Sequence, residues 1–91
     1  MRYEWNEAKR QANLAKHGVD FADAIGALED PHNRTVEDAD ARGEARYITL
    51  GCGALGGVLY VVWTERSVDA VRIISARKAS PGEARYYGER P

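Results

Sequence analysis

The sequence predicts an α+β fold: an antiparallel β-meander packed against two N-terminal helices and closed by a short C-terminal helix, in the order β-α-α-β-β-β-β-α. Three observations predict it. Apolar residues recur at helical spacing up to about residue 30. From Arg34 onward, β-branched and aromatic residues gather in short runs separated by glycines. Ser80-Pro81-Gly82-Glu83 then has the pattern of a capping box with proline at the first helical position.

Tyr3 to Trp5 reads as a short strand or extended lead-in. Asn6 is placed to cap a helix from about Glu7 to His17, and Gly18 supplies the left-handed stop. Ala8, Ala12 and Ala15 recur on one stripe of that helix, which predicts close approach to a neighbour. Asp20 caps a second helix whose buried face is expected to carry Phe21, Ile25 and Leu28. Gly26 predicts close packing there, and Pro31 ends the element.

Arg34 to Asp38 reads as an edge strand and Arg46 to Leu50 as the next strand. Cys52 falls in a glycine-rich turn as a small loop residue. Val58 to Thr64 is the strongest strand, followed by a turn at Arg66-Ser67-Val68 and a strand from Ala70 to Ala76. A hairpin centred near Ser67 pairs residues whose numbers sum to about 134. Leu59, Val61, Trp63, Val71 and Ile73 then share the core face; Tyr60, Val62, Thr64, Arg72 and Ile74 share the other.

The chain has 91 residues, of which 44% are hydrophobic and 30% charged, which fits one domain over 1–91 with one core. One cysteine excludes an internal disulfide framework and a Cys-rich zinc site. Two histidines without helical pairing give no metal signature, and neither a Walker loop nor a dinucleotide fingerprint is present; no cofactor is expected. The opening Met1 to Asn6 lacks the apolar stretch of a secretory signal, and no run is long enough to span a bilayer, so a cytoplasmic domain without membrane contact is expected.

The net charge of −1 conceals an asymmetry. Residues 1–18 carry +2, residues 19–45 carry −6, and residues 46–91 carry +3. Separate acidic and basic surfaces follow, although a pI near 6.1 argues against a dedicated, strongly basic nucleic-acid binder. Arg66, Arg72 and Arg77 lie on one predicted hairpin, where guanidiniums can clamp phosphates. Salt bridges to Glu65, Asp69 or Glu83 satisfy the same positions equally well. Histidine is the side chain whose unperturbed charge change lies nearest neutrality, which makes His17 the obvious proton carrier; the ordinary role of a histidine in a last helical turn is to complement the dipole.

Taken together, Tyr3-Glu4-Trp5-Asn6-Glu7-Ala8-Lys9, Asn13 to Ala24, Asp30-Pro31, Arg46 to Gly51, Val61 to Arg66 and Arg72 to Ala79 form an ordered set of motifs. In that order and spacing the sequence resembles the BrnT family of toxins from type II toxin–antitoxin systems. The resemblance implies a RelE-like fold, metal-independent RNA cleavage that inhibits translation and growth, and a neighbouring BrnA-like antitoxin. The antitoxin's ribbon-helix-helix part would bind DNA, so DNA contact would be indirect.

The matching positions are Lys16 and His17, Glu65 and Arg66, and Arg77 and Lys78. With those residue types, Arg66 and Arg77 are expected on the scissile phosphate. His17 or Glu65 would move protons, and Lys16, Arg72 and Lys78 would guide the RNA backbone. The rival expectation is a non-catalytic module that binds RNA or protein. A toxin-like chain that has lost activity is a third.

Overall fold

The computed structural model describes residues 1–89. Its elements are β1 (Arg2–Glu4), α1 (Glu7–His17), α2 (Phe21–Glu29), β2 (Arg34–Glu37), β3 (Tyr47–Cys52), β4 (Val58–Ser67), β5 (Ala70–Lys78) and α3 (Pro81–Gly88). The helix ends are made as their sequences require. Asn6 Oδ1 accepts from the Lys9 amide, Gly18 stops α1 at φ 72°, and Asp20 accepts from the Ala22 amide. Ser80 and Glu83 form the reciprocal capping box of α3. Cys52 ends β3 instead of lying in the turn, and its Sγ reaches the carbonyls of Gly53 and Gly56.

The five strands lie in the order β1-β5-β4-β3-β2. β2 to β5 form the expected antiparallel meander. The sheet is nevertheless mixed, because β1 pairs with β5 in parallel, with Tyr3 opposite Val71 and Glu4 opposite Arg72. A three-residue strand at the far end of the sequence carries no local sign of its partner, so the sequence left it unplaced.

The β4–β5 register also departs from the expectation. Thr64 faces Arg72 and Trp63 faces Ile73, whereas Val62 faces Ser75 and Tyr60 faces Arg77. The pairing sum is thus shifted by two near the turn, which keeps each side chain on its expected face. Beyond Trp63 a β-bulge leaves Ile74 without a partner. The extra residue reverses the alternation of everything after it. Arg72 and Arg77, five apart in sequence, therefore lie on the same face of the sheet.

The opposite face carries the core. Phe21, Ala24 and Ala27 of α2 are fully buried against Leu59, Val61, Ile73 and Ala76, with Ile25 and Leu28 half-buried at the margin. The buried stripe of α2 is therefore rotated from the predicted one. Small residues bring this helix close to the sheet: a Cβ on Gly51 would sit 2.2 Å from the Ala27 carbonyl oxygen, and one on Gly26 would sit 2.5 Å from the Ala54 nitrogen.

Helix α1 behaves differently. Ala8, Ala12 and Ala15 are exposed, and Asn13 is its one buried residue. The Asn13 amide donates to the Ala76 carbonyl at 2.8 Å and to the Val19 carbonyl at 3.0 Å, and its oxygen accepts from the Ala76 amide at 3.1 Å. These Ala76 groups face away from β4, on the edge of β5 that β1 is too short to cover. α1 is thus held to a sheet edge by an amide that replaces a missing strand, not by an apolar stripe.

Candidate functional site

The face without the core concentrates the guanidinium groups. Glu4 on β1 meets the Nε of Arg66 and the Nε of Arg72, each at 3.3 Å from the same oxygen, Oε1. Two arginines on one carboxylate leave the trio with a net positive charge. All three side chains remain accessible, with 32% of Glu4, 45% of Arg66 and 40% of Arg72 exposed. Extending the β3–β4 register by one residue brings Arg46 opposite Thr64, in line with Arg72. The Arg46 Nε is buried with no hydrogen-bond partner. At this end of the face the Thr64 hydroxyl, itself buried, donates to the Ala45 carbonyl.

Arg77 lies further along the same face, under α3. Its Nη1 and Nη2 grip Glu83 Oε1 and Oε2, both at 2.9 Å, and its guanidinium lies 3.9 Å from the centre of the Tyr60 ring. The Arg77 hydrogen bonds, aided by the Ser80 amide, hold the Glu83 carboxyl down at about 2 against partial burial. The Glu83 bond in turn raises Arg77. Arg34 stacks on Tyr86, and the Tyr87 hydroxyl donates to Asp30 Oδ2 at the end of α2, so α3 is fastened to the face at two points and to α2 at a third. Burial pushes the Asp30 carboxyl up, but the bonds from Tyr87, the Cys52 amide and the His32 amide outweigh it and leave it below its ordinary value.

A second basic surface lies along the free edge of β5. Lys9, Lys16 and His17 of α1 line a groove of about 290 Å³ with the half-buried Ile74, at the bulge, and Ser75. None of Arg66, Arg72 and Arg77 lines it. The remaining predicted residues lie elsewhere. Lys78 is exposed at the end of β5 opposite Leu59. Glu65 shares the core face with Val71 and lies near the Tyr47 hydroxyl; burial, then the negative charges of Glu65 and Glu37, raise that phenol. Tyr47 stacks on Trp63 with ring centres 4.7 Å apart. On the same side Tyr3, Leu28, Thr35, Thr49, Trp63 and Val71 enclose a cavity of about 140 Å³.

The seven predicted residues are therefore distributed over four places. Arg66, Arg72 and Arg77 share one sheet face. Lys16 and His17 share the groove. Lys78 and Glu65 stand apart. Among the expected salt-bridge partners, Glu83 pairs with Arg77, while Arg66 and Arg72 use Glu4 instead of Glu65 or Asp69. Glu4 was missed because its partners lie more than sixty residues away; Tyr60 was placed on the right face without its arginine. Among the described residues no group of three His, Cys, Asp or Glu is placed to hold a metal ion, and no helix is long and apolar enough to cross a membrane.

A layer of arginines over a small sheet, flanked by a lysine–histidine groove, is a surface suited to a phosphate backbone. The family model for the ribonuclease toxin, BrnT, of type II toxin–antitoxin systems matches residues 5–83. The crystal structure of the Brucella abortus ribonuclease toxin, BrnT, is similar to this fold at a TM-score of 0.68 and 30% identity, covering 88% of this chain and 97% of that one. No curated protein matches the sequence. The chain is of the class of ribonuclease toxins whose type II systems pair a toxin with a protein antitoxin. It belongs to the BrnT family.

Proposed function

We propose that the sheet face bearing Arg66, Arg72 and Arg77 binds the RNA backbone and that RNA is cleaved there by internal transphosphorylation without a metal ion. The single observation that carries this reading is the Glu4–Arg66–Arg72 trio, an accessible pair of guanidiniums that one carboxylate does not neutralise. The bulge at Ile74 adds Arg77 to the same face. Guanidiniums fixed before the reaction stabilise charge on a phosphorane without reorganising, often the largest single catalytic term. A phosphate reaching Arg77 takes the place that Glu83 now occupies, since the two-pronged grip suits either anion.

Lys16 and His17, which line the groove beyond the β5 edge, would extend the track there, and His17 would exchange protons with the bound strand. Lys78 holds the RNA beyond the end of β5. Glu65, the other proton carrier named by the sequence, lies across the sheet against Tyr47; its role in cleavage is tested by Glu65→Gln.

Cleavage of RNA would inhibit translation and arrest growth. A BrnA-like ribbon-helix-helix antitoxin would neutralise the toxin by covering this face with acidic or apolar groups, and would make the DNA contacts itself. The element order, with α2 packed on one face of the sheet and the arginines on the other, supports a RelE-like reading of the fold.

The test is purified protein with single-stranded RNA in EDTA. Fragments ending in 2′,3′-cyclic or 3′-phosphate are expected, and their loss in Arg66→Ala and Arg72→Ala. Intact RNA held in a salt-sensitive complex would contradict cleavage and leave a binding module. Cleavage that requires added magnesium would contradict the metal-free step.

A further inference from the structure

We propose that Glu4 is the general base that activates the RNA 2′-hydroxyl; this rests on the assignment of the arginine face as the cleavage site. The geometry differs from an ordinary salt bridge. Arg77 and Glu83 close a two-pronged pair in which both carboxylate oxygens are used. Glu4 instead receives two arginines through their Nε groups at 3.3 Å, both on Oε1. A carboxylate has about four acceptor sites, so two long contacts leave it able to accept a hydroxyl proton. The side chain is about one-third exposed, which gives a ribose access.

The charges that face Glu4 come from three strands. Arg66 lies on β4, Arg72 on β5, and Arg2 lies two residues back on its own strand and face. Asp69, in the turn that joins β4 and β5, accepts the Arg2 amide through its backbone carbonyl and carries the nearest acid in that turn. The carboxylate is therefore set among the cations that would hold the phosphate, and the 2′-oxygen beside that phosphate is brought to it. Neither His17 in its groove nor Glu65 on the reverse face shares a contact with these arginines.

In the step, Glu4 takes the 2′-hydroxyl proton and the 2′-oxygen forms a bond to phosphorus. The bond from phosphorus to the 5′-oxygen breaks, and its electron pair stays on that oxygen, which takes a proton from water. Glu4 returns its proton to solvent. The products are a 2′,3′-cyclic phosphate and a 5′-hydroxyl, with no change in oxidation state and no further reactant.

Glu4→Gln tests this directly, because the amide oxygen still accepts from both arginines but is not a base. Glu4→Asp, which restores the carboxylate one methylene shorter, is the second variant. Expected for Glu4→Gln are a melting temperature close to the parent's and RNA binding at least as tight, since a negative charge beside the phosphate is gone. The turnover number should fall about 100-fold or more. The acid limb of the pH–rate profile, where a carboxylate base gains its proton, should disappear, and Glu4→Asp should recover both limb and part of the rate.

Cleavage by Glu4→Gln within about threefold of the parent, with the acid limb intact, would overturn the proposal. A loss of rate that only follows a loss of RNA affinity would also overturn it, leaving Glu4 as a positioning residue. Parent protein that binds RNA and does not cut it would overturn the cleavage reading and this assignment together.

Discussion

The two faces of the sheet are made in opposite ways. On the α2 face, Phe21, Ala24, Ala27, Val61 and Ile73 are closed off from water, and glycines at 26 and 51 let backbone approach backbone. On the other face the partners are charged: Glu4 with Arg66 and Arg72, Glu83 with Arg77, and Arg34 on Tyr86. One face loses stability when its shape changes, because close-packed interiors cannot absorb extra atoms. The other tolerates changes of shape, because exposed ion pairs contribute little to folding. A small domain has one core to spare, and here it is spent on the α2 side.

The sharpest way to break the comparison is Gly51→Ala. The added carbon would meet the Ala27 carbonyl oxygen at 2.2 Å, a backbone atom that cannot rotate away. A loss of about 3 kcal/mol or more is expected, measurable as a fall in denaturant midpoint. Set against roughly 5–10 kcal/mol for a domain of this size, that takes much of the stability. A midpoint unchanged by the substitution would show that α2 does not press on the sheet there. Arg72→Ala on the opposite face should cost less than about 1 kcal/mol, while reducing RNA cleavage about 100-fold by loss of electrostatic stabilisation. Equal damage to folding and cleavage would erase the distinction between the faces.

Asn13→Ala sits between the two. It leaves the Ala76 amide and carbonyl unpaired on the edge of β5, and a loss of about 1–3 kcal/mol is expected in thermal unfolding. The sequence did not reveal this residue. An asparagine in a helix reads as surface, and the alanines beside it read as the packing stripe; the reverse holds because the open edge of β5 needs hydrogen bonds more than apolar contact. The same limit applies to the site. The caps at Asn6, Asp20 and Ser80 and the stop at Gly18 were legible because each depends on neighbours within a few residues. The parallel pairing of β1, the bulge at Ile74 and the sharing of Glu4 by Arg66 and Arg72 were not, because each is set by strands distant in sequence. The face of Arg72 was read correctly despite the wrong register, since a shift of two preserves alternation, and that of Tyr60 because the extra residue lies in β5 and leaves the alternation of β4 intact.

The smallest effect is that of pH on α3. Glu83 has its carboxyl lowered from 4.5 to about 2 in the folded chain, chiefly by its hydrogen bonds with Arg77. Its contribution is full above pH 4.5 and is lost as pH falls from there toward about 2. Discounted for solvent screening it amounts to about 1 kcal/mol. Glu83→Gln should therefore flatten the acid side of the stability profile over that window and leave the profile above it parallel to the parent's. A profile that keeps its full acid slope without Glu83 would assign the slope to other carboxylates.

The direct test of the arginine face is to follow the side-chain Nε–H resonances of the arginines and the backbone amides of α1 by NMR while single-stranded 2′-O-methyl RNA, which has no free 2′-hydroxyl to attack the phosphate, is added to the EDTA-treated protein. If RNA lies across the sheet, the resonances of Arg66, Arg72 and Arg77 shift together and saturate at one RNA concentration. If the shifts are confined to Lys9, Lys16 and His17 while all three arginine signals stay in place, the RNA lies in the α1 groove and the sheet face is not its site.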